Sequence, residues 1–300
     1  MSSQLKVGVV GAGVFAGYHA NKVVGHDRAI LTGIVDQNDV SSRELAAKHG
    51  VQSISTVAEL AEMSDALIIA VPASYHTKAA LTGLAQGCHL LVEKPLACTV
   101  DEAEQIVSAA SQAKRMLQVG HQERIVTQAI GLHDIQERPT QIDIIRHTAR
   151  ATRNLDASVV MDLMVHDLDL LNALYGAPDW ISTEMAKRVY SGELDVVRAE
   201  AGFGGMTAYI SASRDAEPDR RWTLRYEEGT IEIDFGAKTI RHDTPFDLDE
   251  GFGDRPRVQD NLAAAFDCFV CACLDGTPPL ATGEDGLAAV KAAAKIEGTL

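Results

Sequence analysis

Over the first ~120 residues, short apolar runs alternate with amphipathic stretches. The runs LKVGVVG, AILTGIVD, DALIIAVP, CHLLVEKP and RMLQVG are too short for helices and end in turn-forming residues, which predicts strands. Between them SSRELAAKHG, SYHTKAALTGLAQG and TVDEAEQIVSAASQAK space their apolar residues three and four apart, with Gly or Lys near their ends, which predicts helices. Strands that alternate with helices pair in parallel through right-handed crossovers. After ERIVTQAIGLHDI the pattern changes. One long helix is predicted over residues about 158 to 175, followed by the strands WISTEMAKRVY, DVVRAEAGF, MTAYISASR, RWTLRYEEG, TIEID and KTIRHD. Their turns read SGE, GFGG, EEG and DFGAK, as a mostly antiparallel sheet requires. Helices over about 256–275 and 283–297 close the chain, with packing back across the domain junction as one expectation. No repeat or flexible linker intervenes, so the change near residue 121 divides the chain into domains of residues 1–121 and 122–300.

The long helix, VVMDLMVHDLDLLNALYG, is apolar nearly all round yet carries Asp162, His166, Asp167 and Asp169. At 100° per residue, Asp162, His166 and Asp169 fall in a band about 60° wide, while Asp167 lies about 140° from Asp162 amid the apolar arc. An unpaired buried carboxylate costs several kcal/mol, so the stripe must face partners, water or a ligand. Asp167 is expected to be structural, with a buried basic or backbone partner. The spacing of Asp162 and His166 suits coupled acid/base groups and equally the start of a metal site, but no second cluster completes a metal site.

Gly11-Ala12-Gly13-Val14-Phe15-Ala16 stands between a predicted strand and a helix. This is the G-x-G-x-x-G/A arrangement, in which the first glycine turns tightly, the second admits a diphosphate and the small last residue packs helix on strand. Asp36 ends the next strand, 23 residues after Gly13, at the place of the acid that binds a ribose 2′-hydroxyl. A carboxylate there repels a 2′-phosphate, which favours NAD over NADP. The sequence Glu93-Lys94-Pro95 ends the fifth strand at the sheet edge where ligands bind, and Pro95 is a candidate for a cis peptide that directs Lys94.

A net charge of −15 excludes a nucleic-acid surface but leaves room for a local basic pocket. The five cysteines are too few and wrongly spaced for a disulfide framework or a zinc site. No apolar run reaches the ~18 residues needed to span a bilayer, and MSSQLKVGVVGAG enters a strand without a signal-peptide pattern, which predicts a cytoplasmic protein.

Taken together, GAGVFAGYHA, DALIIAVPASYHTKAA, HLLVEKPLA, VGHQERI and DLMVHDLDLL resemble, in this order, the Gfo/Idh/MocA oxidoreductases. The resemblance covers the first 125 or so residues and the long helix, and afterwards only the pattern of strands. It implies an α/β fold: an N-terminal Rossmann dinucleotide-binding domain and a C-terminal α/β domain on an open, mostly antiparallel sheet, often used for dimer or tetramer assembly. It implies catalysis by Lys94, Asp162 and His166, cofactor contacts from Gly11, Gly13, Val14, Phe15, Ala16, Asp36, Pro72, His76, Glu93 and Lys94, and a substrate contact from His121. Ala16 stands where a third glycine is common, and the chain is short for the family. More narrowly, VVMDLMVHDLDLL after GHQERI is similar to the UDP-N-acetylglucosamine 3-dehydrogenases of that family, which oxidise the sugar 3-hydroxyl to a ketone ahead of amination. The basic segment IIRHTARATRN has physical sense there, since Arg146, His147, Arg150 and Arg153 can meet a nucleotide diphosphate, and an exposed charged strand and loop is the other reading of it.

The expected chemistry is transfer of hydride from a carbinol carbon to NAD, with His166 taking the hydroxyl proton, Asp162 orienting the imidazole or touching substrate, and Lys94 stabilising the alkoxide. The His166 and Lys94 roles are interchangeable at this stage. Two other readings stand beside it: an inositol or simple-sugar dehydrogenase, and a regulator that senses NAD without turnover.

Overall fold

The computed structural model describes residues 4–150 and 155–300. The chain forms two compact units, Met1–Gln122 with Asp260–Leu287, and Glu123–Gln259 with Ala288–Leu300.

The first unit runs β1 (Leu5–Val10), α1 (Val14–Val24), β2 (Ala29–Val35), α2 (Asp39–His49), β3 (Gln52–Ser53), α3 (Val57–Glu62), β4 (Ala66–Ile69), α4 (His76–Ala85), β5 (His89–Val92), α5 (Val100–Ala113) and β6 (Leu117–Val119). Its six strands are all parallel, in the order β3-β2-β1-β4-β5-β6. Strand β4 is buried at every position, as a sheet covered on both faces demands. The order reverses between β1 and β4, which opens a crevice at their carboxyl ends. Helices α3 and α5 begin with capping boxes, Thr56 with Glu59 and Thr99 with Glu102.

The second unit runs α6 (Arg124–Ile130), β7 (Gln141–His147), a π turn over Val160–Met164 leading into α7 (Val165–Tyr175), and then β8 (Trp180–Lys187), β9 (Val196–Phe203), β10 (Met206–Ser213), β11 (Asp219–Tyr226), β12 (Gly229–Asp234) and β13 (Thr239–His242). The sheet order is β13-β12-β11-β7-β10-β9-β8, antiparallel except for the β7/β10 pair. Strand β7, whose segment reads in sequence at most as an exposed charged strand, is central. Its inward face reads Ile142, Ile144, Arg146, so a charge stands where the alternation calls for an apolar residue.

The first boundary falls after Gln122, beside the expected residue 121, but Asp260–Leu287, expected in the second domain, groups with the first. Of the closing helices, α8 (Pro256–Gln259) stays with the second unit, whereas Asp260–Leu287, which holds α9 (Asn261–Asp275), joins the first. The reason is burial: Phe266, Phe269 and Val270 of α9 enter the core formed by Val7, Val9, Ile34, Ile68, Leu91 and the Ala16, Ala20 and Val23 face of α1. Arg28 fastens the helix end through two bonds to Asp275, at 2.8 and 2.6 Å. Helix α10 (Gly283–Glu297) follows, and its Ile296 carbonyl accepts from Thr183 of β8. No helix among the described residues is long and apolar enough to cross a membrane.

Helix α7 is held to the sheet by charge as well as by packing. Asp167, 1% exposed, accepts from Arg146 of β7 at 2.6 and 2.9 Å and from the Trp222 indole of β11 at 2.9 Å. This is the buried basic partner expected of Asp167. Asp167→Asn leaves the Arg146 cation without its main counter-charge and is expected to cost about 3–5 kcal/mol. Urea denaturation followed by far-UV circular dichroism checks this, and an unchanged midpoint contradicts it.

Candidate active site

The glycine-rich turn of the first unit has the geometry of an anion cradle. Gly11 has φ +117°, and a Cβ there would lie 2.6 Å from the Ala70 carbonyl oxygen, so both conformation and space require glycine. At Gly13 a Cβ would meet nothing within 4 Å, which leaves room for a ligand against the backbone. Gly13 caps α1 without a side-chain hydrogen bond, so no side chain competes for the first-turn amides. Val14 and Phe15 are exposed on that turn, and Ala16 is wholly buried as the small packing residue.

Asp36 follows β2 directly. Its Oδ2 accepts from the Ala12 amide at 2.6 Å and its Oδ1 from the Asn38 amide at 2.8 Å, so the carboxylate also ties the glycine turn to the β2 end. Asp36, Thr56, Pro72, Tyr75 and Lys78 line a cavity of about 540 Å³. The turn, the open space at Gly13 and the acid beside that cavity fit a dinucleotide.

Lys94 is half-buried after β5, and its peptide bond to Pro95 is cis. Two residues expected at the cofactor, Glu93 and His76, take protein partners. Glu93 is buried and bonds His19 through Oε1 at 2.7 Å. Burial pushes its carboxyl up, but the His19 hydrogen bond and the neighbouring cations outweigh this and hold it below the usual carboxylate range. His76 is also buried, its Nδ1 2.9 Å from the Pro95 carbonyl and its Nε2 2.9 Å from that of Val71. Burial holds this imidazole below its ordinary range, so the neutral ring donates to one carbonyl only, bracing the segment that carries Lys94. A buried polar group must find a partner, and here the backbone supplies it before any ligand does.

In the second unit the α7 region separates its charged residues. Asp162, within the π turn, and His166, in the first turn of α7, are half-buried amid buried neighbours. The wider π turn breaks the 100° projection between them, and single π turns cluster at functional sites. Asp169 leaves the expected stripe: it is 1% exposed and paired with Arg124 at 2.9 and 2.6 Å, because full burial demands a cation.

Glu123, which the sequence reading passed over, lies 3.8 Å from His166 Nδ1 through its Oε1. It also accepts from Arg146 at 3.2 and 2.7 Å, and from Arg220 of β11. Its signal was present in GHQER, next to Arg124, but a glutamate beside an arginine does not reveal that the two grip different residues of one helix.

The basic segment is corrected in part. Arg146 is buried and committed to Asp167 and Glu123, and His147 bonds the Ser211 hydroxyl. Arg150 remains exposed, although Asp215 holds it at 3.0 Å and its guanidinium lies 4.6 Å from the Tyr190 ring centre. Arg153 lies outside the described residues. His121 is buried at 2% exposure.

A family model described as "Oxidoreductase family, NAD-binding Rossmann fold" matches residues 5–121, and one described as "GFO/IDH/MocA C-terminal domain" matches residues 112–232. The UDP-N-acetylglucosamine 3-dehydrogenase of Acidithiobacillus ferrooxidans is 28% identical, covering 97% of this chain and 96% of that protein. A solved structure of that organism's GnnA superposes with a TM-score of 0.90 at 27% identity, covering 99% of this chain and 98% of the other. The myo-inositol 2-dehydrogenase of Thermotoga maritima is 25% identical over 94% of this chain and 92% of its own. The WlbA dehydrogenase of Bordetella pertussis, solved with NADH and UDP-GlcNAcA, shares the fold at a TM-score of 0.87 and 20% identity, over 100% of this chain and 96% of that one.

The two glycines are expected to fail differently. Gly13→Ala should leave the ligand-free melting temperature nearly unchanged and weaken NAD about tenfold or more, because its methyl enters only the ligand's space. Gly11→Ala should destabilise the ligand-free protein by about 1–3 kcal/mol. Thermal melting and NAD titration of both variants check this. Equal melting losses with NAD affinity intact in Gly13→Ala would contradict the cradle.

Proposed function

The chain belongs to the GFO/IDH/MocA oxidoreductase family, as an NAD-dependent dehydrogenase acting on CH–OH groups, and from that premise we propose that it oxidises a secondary hydroxyl of a nucleotide sugar, best the 3-hydroxyl of UDP-N-acetylglucosamine. The observation that carries the substrate choice is the likeness to a UDP-N-acetylglucosamine 3-dehydrogenase over 97% of the chain, which extends well beyond the NAD-binding Rossmann match at residues 5–121. A simple polyol is the rival, on the likeness to a myo-inositol 2-dehydrogenase over 94% of the chain.

In this reading the turn of Gly11, Gly13, Val14 and Phe15, packed by the buried Ala16, would hold the NAD diphosphate through its amides and the α1 dipole, with Asp36 at the adenosine ribose and Pro72 lining the cavity. Bound NAD supplies the two-electron acceptor for the carbinol C–H. His166 takes the proton of the reacting hydroxyl, and a base of this kind contributes about 10²–10⁴-fold. Lys94 offers its ammonium to the oxygen on which negative charge grows. Asp162 fixes the sugar through a neighbouring hydroxyl, and His121 and Arg150 contact the remainder of the substrate. Self-association is assigned to the second unit's sheet, where Trp180 and Tyr209 are exposed aromatics.

NADH formation from a panel of UDP-N-acetylglucosamine, other UDP-sugars and myo-inositol is the test. Turnover is expected on the UDP-sugar, with Lys94→Met and His166→Asn each lowering kcat by ~10²–10⁴ while NAD still binds. Turnover confined to myo-inositol would end the nucleotide-sugar reading. Near-normal turnover in both variants would end the assignment of the site.

A further inference from the structure

Arg146 and Arg220 stand directly opposite each other on β7 and β11. Two like charges in cross-strand register repel. Arg146 is nine-tenths or more buried, and its guanidinium is divided between Asp167 and Glu123, whereas Arg220 bonds only the Glu123 carboxylate among the contacts shown. One carboxylate therefore closes a cluster of two cations and one further anion, and the Glu123 side chain itself is only 12% exposed. The same carboxylate lies 3.8 Å from His166 Nδ1.

We propose that Glu123 is the positioning residue for His166: its carboxylate, fixed between the Arg146 and Arg220 guanidinium groups, keeps a proton on Nδ1 and leaves Nε2 to take the hydroxyl proton of the substrate. When the substrate O–H bond breaks and the Nε2–H bond forms, the imidazolium gains a positive charge beside a carboxylate already in place, so no group has to reorganise. At 3.8 Å the contact is electrostatic in the ligand-free protein and becomes a hydrogen bond only if the two groups close up when substrate binds, as an acid behind a histidine does when it fixes the tautomer. Burial would raise the Glu123 carboxyl, but Arg146, His166 and Arg220 outweigh it and hold the carboxyl far below the usual range, so the negative charge persists at every working pH. It transfers to Glu123 the orienting task that sequence spacing offered to Asp162.

Other charges surround the ring. On its own helical segment are Asp162 and, engaged by Arg146 and Arg124, Asp167 and Asp169. Glu123 and Arg124 come from the start of α6, Arg146 from β7 and Arg220 from β11. Lys94, the cation assigned to the same reaction, is unchanged in the variants below. The two groups that bear on His166 through one carboxylate, Glu123 and Arg220, have opposite signs, which gives the idea a two-sided test.

The proposal rests on His166 being the proton acceptor, but its readout does not need turnover. Titration of the His166 ring protons by NMR in the ligand-free protein, assigned by their loss in His166→Asn, reports the midpoint directly. Glu123→Gln removes the anion and should lower that midpoint by about one pH unit. Arg220→Gln frees the anion from a cation and should raise it. The acid limb of kcat/KM should move the same way in each variant, and Glu123→Asp should recover part of the wild-type profile. Loosened packing would slow both variants without moving their midpoints in opposite directions. An unmoved midpoint, or two shifts of one sign, overturns the proposal, and if Glu123→Gln does not fold, an unmoved midpoint in Arg220→Gln does so alone. Full turnover by His166→Asn would instead overturn the functional reading, whatever the titrations give.

Discussion

Two carboxylates buried on α7 set the terms for the second unit. Asp167 and Asp169 are each 1% exposed, and an uncompensated charge at such a depth costs several kcal/mol. The fold answers with two bidentate arginine pairs, Arg146 on Asp167 and Arg124 on Asp169. Once Arg146 is inside, the register of β7 and β11 brings Arg220 beside it, and a further anion has to settle the excess. Glu123 is that anion. A requirement of burial thus ends by putting a permanent negative charge next to the half-buried imidazole of His166.

The first unit uses its polar groups in a related way. A diphosphate is held by backbone amides, so the side chains around it are free to shape the backbone. Asp36 ties the Ala12 and Asn38 amides together at the end of β2. Glu93 is anchored on His19, and His76 braces Val71 against Pro95 on either side of the crevice floor. These residues fix the backbone on which they stand.

How much of this was legible in the sequence depended on the kind of signal. The strands of the first unit stood out because a sheet covered on both faces needs continuous apolar runs, and the glycine turn because only glycine fits φ +117° at residue 11. The stretch QIDIIRH did not read as a central strand, since its inward face ends on Arg146, and a buried arginine resembles a solvent-facing one until its partner is known. For the same reason the basic segment looked wholly available to a phosphate. The apolar face of α9 announced a helix but not which core it fills, because contacts between residues as distant as Phe266 and the β1 neighbourhood leave no periodicity. The π turn was invisible for a simpler reason: one extra residue per turn shifts every later angle, and a projection at 100° has no means of detecting it.

Asp162, Asp167 and Asp169 share one residue type and one helical segment, yet have different fates. A carboxylate becomes structural where the fold brings a cation to meet it fully, as Arg146 and Arg124 do one and three residues beyond His166. Those two pairs pin the helix on both sides of a single turn, so the imidazole between the π turn and the second pair is carried by backbone that has little freedom to drift. Proton transfer depends on sub-ångström placement, and a base on a pinned helix meets that demand better than one on a loop. Asp162, upstream of both pairs and within the wider turn, is left half-buried. The same two ion pairs that make α7 tolerable in the interior therefore also fix the backbone on which His166 is carried.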